Sequence, residues 1–249
     1  MKERLKKFRG LMMVDSLQGF GRSIGRSVVL AAMTTGMLLL PALAQATPED
    51  DYKAGQADYL ERSDLVGAIP KLRKAADAGH LQAQVLLAFI LDYSEFDEDA
   101  IEYYRKAADA GSAEGQFGLG SMIAAGEGVK KDLVEGRKWI LKAAEQGHIQ
   151  AIGAIAQAYL TGDLAIPESA RNGEEALRWI RLAAEKNYLP AMEALVKAYE
   201  NGGAYGLAQN AALAADWKSK IQINKGPSTQ RASRRRKELA PLIRGGDKQ

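Results

Sequence analysis

The sequence predicts an all-α chain, an α/α superhelical solenoid of about five helix–turn–helix units. Three observations carry this expectation. Paired alanines recur at positions 75, 107, 143 and 183, inside matching segments: Lys74-AADAGH, Lys106-AADAGS, Lys142-AAEQGH and Leu182-AAEKNY. Their spacings of 32, 36 and 40 residues are those of stacked helical hairpins. Around each pair, small, large and aromatic residues recur at intervals of four, which places them on one helical face.

The second helix of each unit is read from the residues before the alanines. Four positions upstream stand Lys71, Tyr103, Trp139 and Trp179, with Trp217 in the same place of a degenerate last copy. Three earlier stand Ala68, Ala100, Gly136, Ala176 and Ala214, small enough to let helices approach closely. Gly79, Gly111 and Gly147 then close the helix, where a left-handed residue costs glycine little; Asn187 holds the fourth such position. The first helix of the next unit follows. It carries Ala83, Gly115, Ala151 and Ala191, then Leu87, Leu119, Ile155 and Leu195, then Leu91, Ile123, Tyr159 and Tyr199. Ser94, Gly126, Gly162 and Gly202 end it.

Five units result. The first, Tyr52 to Gly79, has a weak first helix. The second turns at Ser94-Glu-Phe-Asp. The third is the cleanest: Gly126-Glu-Gly128 makes a tight connection and Asp132 is placed to cap the next helix. The fourth has an enlarged connection from Gly162 to Gly173. The fifth replaces the alanine pair with Ile221-Gln222. Irregular end units suit a solenoid, whose ends face water.

The string running through Gly115, Leu119, Gly120, Gly126, Gly128, Val129, Asp132, Lys138, Trp139, Ala143, Ala144 and Gly147 strongly resembles the Sel-one-like repeat (SLR) family, relatives of tetratricopeptide repeats. The resemblance covers roughly residues 50–224. It implies a right-handed helical superhelix. It also implies a scaffold or adaptor that binds proteins or peptides and has no chemistry of its own. Exported bacterial proteins similar to this one serve in envelope signalling, polysaccharide assembly and host contact. Some family members have cysteine-stapled repeats; this chain lacks those cysteines, so that branch's activities do not carry over.

Composition narrows the function further. Of the 249 residues 47% are hydrophobic and 26% charged, ample for a buried core. There is no cysteine, which excludes disulfides, thiolate metal sites, cysteine nucleophiles and an N-terminal lipid-bearing cysteine. Charge is uneven. Residues 1–46 carry seven basic and two acidic side chains, and residues 225–249 carry eight and two. The body between them holds 19 basic and 27 acidic, a sign opposite to that of a nucleic-acid binder.

The first 46 residues read as an export signal. A basic stretch from Lys2 to Arg26 precedes an apolar run, Val28–Leu43, and then Ala44-Gln45-Ala46. Cleavage is expected between Ala46 and Thr47. The apolar run is short for a membrane span and contains Pro41; an uncleaved anchor is the alternative. Met12 or Met13 could serve as the start. The domain plan is therefore signal peptide 1–46, repeat domain 47–224 and basic tail 225–249, in a periplasmic or secreted protein.

Motifs that could carry chemistry have simpler readings. His80 and His148 share one repeat position and read as helix-entry residues. Gly126-x-Gly128 lacks the strand and the Gly-Lys-Ser/Thr ending of a phosphate loop. Asp97, Glu98 and Asp99 sit at a helix start, where carboxylates favour the dipole. Ser121 and Ser169 lack a nucleophile elbow. The tryptophans repeat in register and are expected to pack. No catalytic residue, metal or cofactor is expected.

A partner is expected on the first helices, at positions that vary between units: Val85, Phe117 and Glu193, with Gly153, and Phe89, Ser121, Gln157 and Lys197 one turn on. Phe89 and Phe117 are the natural anchors of such a groove. The partner is a protein or peptide of the cell envelope, with no nucleic acid. The tail, with Arg231-Ala-Ser-Arg-Arg-Arg-Lys237, is either a solvated appendage, a transient tether to anionic lipid or glycan, or a segment that docks on the chain's own acidic body. An envelope structural protein acting through this tail is the competing function; a cell-wall hydrolase is a more distant one.

Overall fold

The computed structural model describes residues 46–224. Among them are ten α-helices and no strand. They are α1 (Pro48–Leu60), α2 (Leu65–Asp77), α3 (Leu81–Tyr93), α4 (Asp97–Asp109), α5 (Ala113–Ala125), α6 (Leu133–Glu145), α7 (Ile149–Thr161), α8 (Glu174–Glu185), α9 (Leu189–Asn201) and α10 (Ala211–Asn224). The chain divides into two compact units at Gly136 and Arg137, within α6. The signal-peptide reading, apart from its last residue, and the tail lie outside the described residues.

The first unit holds α1 to α5 and the start of α6. Here each helix packs on its neighbours in sequence, and α3 also touches both α1 and α5. These three are the first helices of successive repeats, so their mutual contact marks a stacked hairpin array. Its core is built from the repeated small residues: Ala68, Ala75, Ala83, Ala100 and Ala107 are fully buried, as are Leu72, Leu87 and Leu119. Two glycines bring helices to closest approach. A Cβ on Gly115 would stand 2.6 Å from the Ala107 Cβ, and one on Gly118 would stand 2.3 Å from the Tyr104 ring. The expected weak first helix is in fact a full 13-residue element. Thr47 caps it, and Gly55 seats it on α2, where a Cβ would stand 2.7 Å from Leu72. Its helical pattern is hidden in the sequence because small and polar residues dominate it.

The second unit repeats the same plan with α7 to α10. In it α7 packs on α8, α8 on α9 and α9 on α10, and α9 also touches α7. Ala151, Ala176, Ala183, Ala191, Ile180 and Leu195 are fully buried.

One joint links every second helix to the next first helix. The amide of His80 donates to the Ala75 carbonyl and that of Gly79 to the Ala76 carbonyl. The same pair of bonds recurs on Ala107 and Ala108, on Ala143 and Ala144, and on Ala183 and Ala184. This is a Schellman ending, and it requires a left-handed residue. Gly79, Gly111 and Gly147 have φ between 86° and 88°, and Asn187 has φ 64°. At the first three joints the next residue then caps the following helix with its side chain, whereas Tyr188 at the fourth does not. His80 and His148 each accept the amide of the third residue on, at 3.2 Å, through Nδ1, and Ser112 does so through Oγ at 3.1 Å. Both histidines therefore serve the backbone, as helix-entry residues.

Candidate functional site

The side chains expected to form a partner groove divide between the two units. In the first, Phe89, Phe117 and Ser121 are buried, at 8, 7 and 1% exposure, and Val85 is half-buried. They are core residues with little surface to offer. The reason lies in α3 and α5, which are packed on nearly every side; from Leu86 to Leu91 no residue reaches solvent appreciably. In the second unit Glu193 and Lys197 are exposed on α9. Gln157 is half-buried and accepts a 2.8 Å hydrogen bond from the Tyr188 hydroxyl. Repeat-to-repeat variation thus marks both core residues of the first unit and surface residues of the second.

The tryptophans also divide. Trp179 is buried, and Trp139 and Trp217 are half-buried. Each half-buried indole is covered by the lysine three residues on: Lys142 lies 4.0 Å above Trp139 and Lys220 4.3 Å above Trp217. Lys106 covers Tyr103 in the same way at 4.6 Å. These cation–π pairs of i, i+3 spacing cover the outer faces of rings that pack against the repeat, Tyr103 being buried.

Exposed apolar surface concentrates elsewhere. In the first unit it lies at the turn joining the two helices of each repeat. Leu60, Leu65 and Val66 flank the first turn, Tyr93 and Phe96 the second, and Val129 and Val134 the third. Val66, Tyr93 and Phe96 are 86, 75 and 60% exposed. The three turns form one edge. Tyr93 is close enough to Tyr59 to help raise its pKa, burial being the larger cause. A Cβ on Gly128 would stand 2.4 Å from the Asp97 carbonyl oxygen, so the third turn lies against the start of α4. An open concavity of about 310 Å³ sits beside the third turn, lined by Arg105, Ile123, Val129, Lys130, Lys131, Asp132 and Glu135. Asp132 caps α6 as expected, accepting the amides of Val134 and Glu135 at 2.9 Å.

Sequence reasoning passed over Tyr93 and Phe96, although the Ser94-Glu-Phe-Asp turn was in view. An aromatic residue beside a polar turn, outside the repeat pattern, was the available signal.

Ion pairs near this edge are structural. Asp58 is buried and bonded to both Lys71 and Arg62. Lys71 and, to a lesser degree, Arg62 hold its carboxyl below the usual range, against the opposing effect of burial. Among the described residues no cluster of three or more His, Asp or Glu side chains could hold a metal ion. No helix among them is long and apolar enough to cross a membrane.

Comparison with known proteins now gives the repeat its name. The Sel1 repeat model matches residues 96–112, 113–148 and 150–188. The chain carries three Sel1 repeats. Among solved structures it is similar to a protective antigen of uropathogenic Escherichia coli displaying an SLR fold, with 28% identity and a TM-score of 0.63. That match covers 74% of this chain and 40% of that one. It is likewise similar to a Sel1 repeat protein from Oxalobacter formigenes, with 26% identity and a TM-score of 0.62, over 75% of this chain and 54% of that one. This chain therefore spans only about half or less of those relatives' lengths. No curated protein matches it. Sel1 repeats are in general protein–protein interaction scaffolds without catalysis.

Proposed function

We propose that this chain is an exported, non-enzymatic scaffold that holds a protein partner in the periplasm. The observation that carries the reading is the run of Sel1 repeats across residues 96–188. The geometry that recurs from repeat to repeat is devoted to helix joints and close packing, which leaves partner choice to the surface between them. Export is supported by the order of basic stretch, apolar run and Ala-Gln-Ala at the N-terminus. It is also supported by the first helix. Thr47 is its N-cap: it accepts the Asp50 amide at 3.2 Å, and its own amide donates to the Asp50 carboxylate at 3.0 Å. A cut before Thr47 keeps this capping box whole.

The test is fractionation of cells expressing the full chain with a C-terminal tag, with cross-linking in place and mass spectrometry of the N-terminus and of captured proteins. A periplasmic chain beginning at Thr47, with one envelope protein enriched and lost in a Lys197→Glu variant or a Phe96→Ser variant, supports the proposal. An intact N-terminus in the cytoplasm overturns export. Substrate turnover abolished by a single carboxylate substitution overturns the scaffold reading.

A further inference from the structure

We propose that His80 is a proton-operated clasp at the joint between the first two repeats. Neutral, it holds α1 and α3 together; protonated, it stays with α1 and releases the start of α3. The imidazole is enclosed, its side chain 11% exposed, and both ring nitrogens are engaged. Nδ1 accepts the Ala83 amide at 3.2 Å, the cap that starts α3. A nitrogen that accepts an N–H carries no hydrogen of its own, so the neutral ring has its single hydrogen on Nε2. Nε2 lies 2.8 Å from a Glu49 carboxylate oxygen on α1 and donates to it. Tyr52, also on α1, stacks on the ring, with centroids 4.6 Å and planes 25° apart. So α1 offers the ring a carboxylate and an aromatic face, whereas α3 offers it an amide donor.

Proton uptake separates these two sets of contacts. A hydrogen on Nδ1 meets the Ala83 N–H donor to donor, at the positive end of the α3 dipole, and the cap is lost. The contacts with α1 strengthen instead, since an imidazolium pairs with Glu49 and rests on the Tyr52 face as a cation. The other charged groups around the joint are already engaged. On α1, Lys53 pairs with Glu49 at 3.0 Å, Asp50 is bonded to Thr47, and Asp51 pairs with Lys74 of α2 at 2.7 Å. On α2, Asp77 accepts the Tyr103 hydroxyl at 2.8 Å. On α3, no titratable side chain stands from Leu81 to Ala88. The bond to His80 first, and that to Lys53 second, hold the Glu49 carboxyl below its usual range, so Glu49 is ionised wherever an imidazole titrates. The next joint of the same unit is an internal comparison. There Ser112 accepts the Gly115 amide through Oγ at 3.1 Å, and a hydroxyl takes up no proton in this range.

The experiment follows the full chain, labelled with nitrogen-15, by NMR from about pH 8 to pH 5, the range in which imidazoles take up a proton. At the upper end the His80 ring nitrogens should report hydrogen on Nε2 alone. As the pH falls, the exchange protection of the Ala83 amide should drop at least about fivefold relative to that of Gly115, the scale of one lost cap. His80→Asn keeps an acceptor at the cap and removes the titration, so the ratio should become independent of pH. Glu49→Gln withdraws the charge that favours the imidazolium, so the drop should move to lower pH. Hydrogen on Nδ1 at pH 8, a constant Ala83 to Gly115 ratio across the series, or a drop that survives in His80→Asn would each overturn the proposal.

Discussion

The turn edges of the two units solve one problem differently. In the first unit the turns are short, and apolar side chains beside them stay exposed: Leu60, Val66, Tyr93 and Phe96. In the second unit the connection between α7 and α8 runs from Gly162 to Gly173 and folds back over the hairpin. Ile166 in its middle is buried. Arg171 ties it down by donating to the Tyr159 and Leu160 carbonyls at 3.2 and 2.6 Å. Arg137 donates to the Leu164 and Ala165 carbonyls at 2.8 and 2.7 Å, holding two residues with positive φ. Asn172 then accepts the amide of Tyr205 from the next connection. Chain length at the turn decides whether a hairpin covers its own edge. A short turn leaves that surface exposed.

The comparison can be broken most severely in the packing both units share. Gly118→Val forces a side chain into the Tyr104 ring, and we expect a loss of about 3 kcal/mol, at the upper end for overpacking, read by urea unfolding. Arg171→Ala should cost about 2 kcal/mol, the scale for charged hydrogen bonds. It should also raise protease cleavage between Gly162 and Gly173, while the first unit's turns are cleaved as before.

A pH series sharpens the contrast. Asp58 has its carboxyl pKa depressed, so its stabilising contribution is present above the unfolded value, near 4, and is lost as pH falls through the lower folded value. Asp58→Asn should flatten that acid limb of the stability curve. Tyr159 is raised to about 12, by burial first and by its hydrogen bond to Glu175 second. Its contribution is complete below about pH 10 and is lost as pH rises through about 12. Tyr159→Phe should remove that alkaline step. The smallest effect belongs to the exposed edge itself: Tyr93→Ser and Phe96→Ser should change stability by less than about 0.5 kcal/mol. A larger loss would mean these rings are part of the fold.

Much of the fold was legible because its joints are local. The alanine pair, the left-handed glycine and the capping residue lie within a few positions of one another, so backbone chemistry alone determines the ending. The candidate groove was less legible. Phe89 and Phe117 vary between repeats as a binding residue does, but whether a variable residue faces solvent depends on how many helices surround its own. The unbroken apolar run Val85–Leu91 was the signal that α3 is enclosed. Register alone also did not separate the fully buried Trp179 from Trp139 and Trp217, which are half-buried beneath a neighbouring lysine.

The joint has a consequence for how such a chain can change its length. The two bonds of the left-handed ending and the side-chain cap of the next helix fall within nine consecutive residues, as from Ala75 to Ala83. An in-frame copying event that duplicates one whole repeat therefore brings its own hinge-point chemistry with it, and nothing elsewhere has to co-adapt for the new helix pair to be started and stopped. Genes of this kind can grow or shrink by copying slips of about one repeat, and the edge turns, free of that duty, can diverge afterwards.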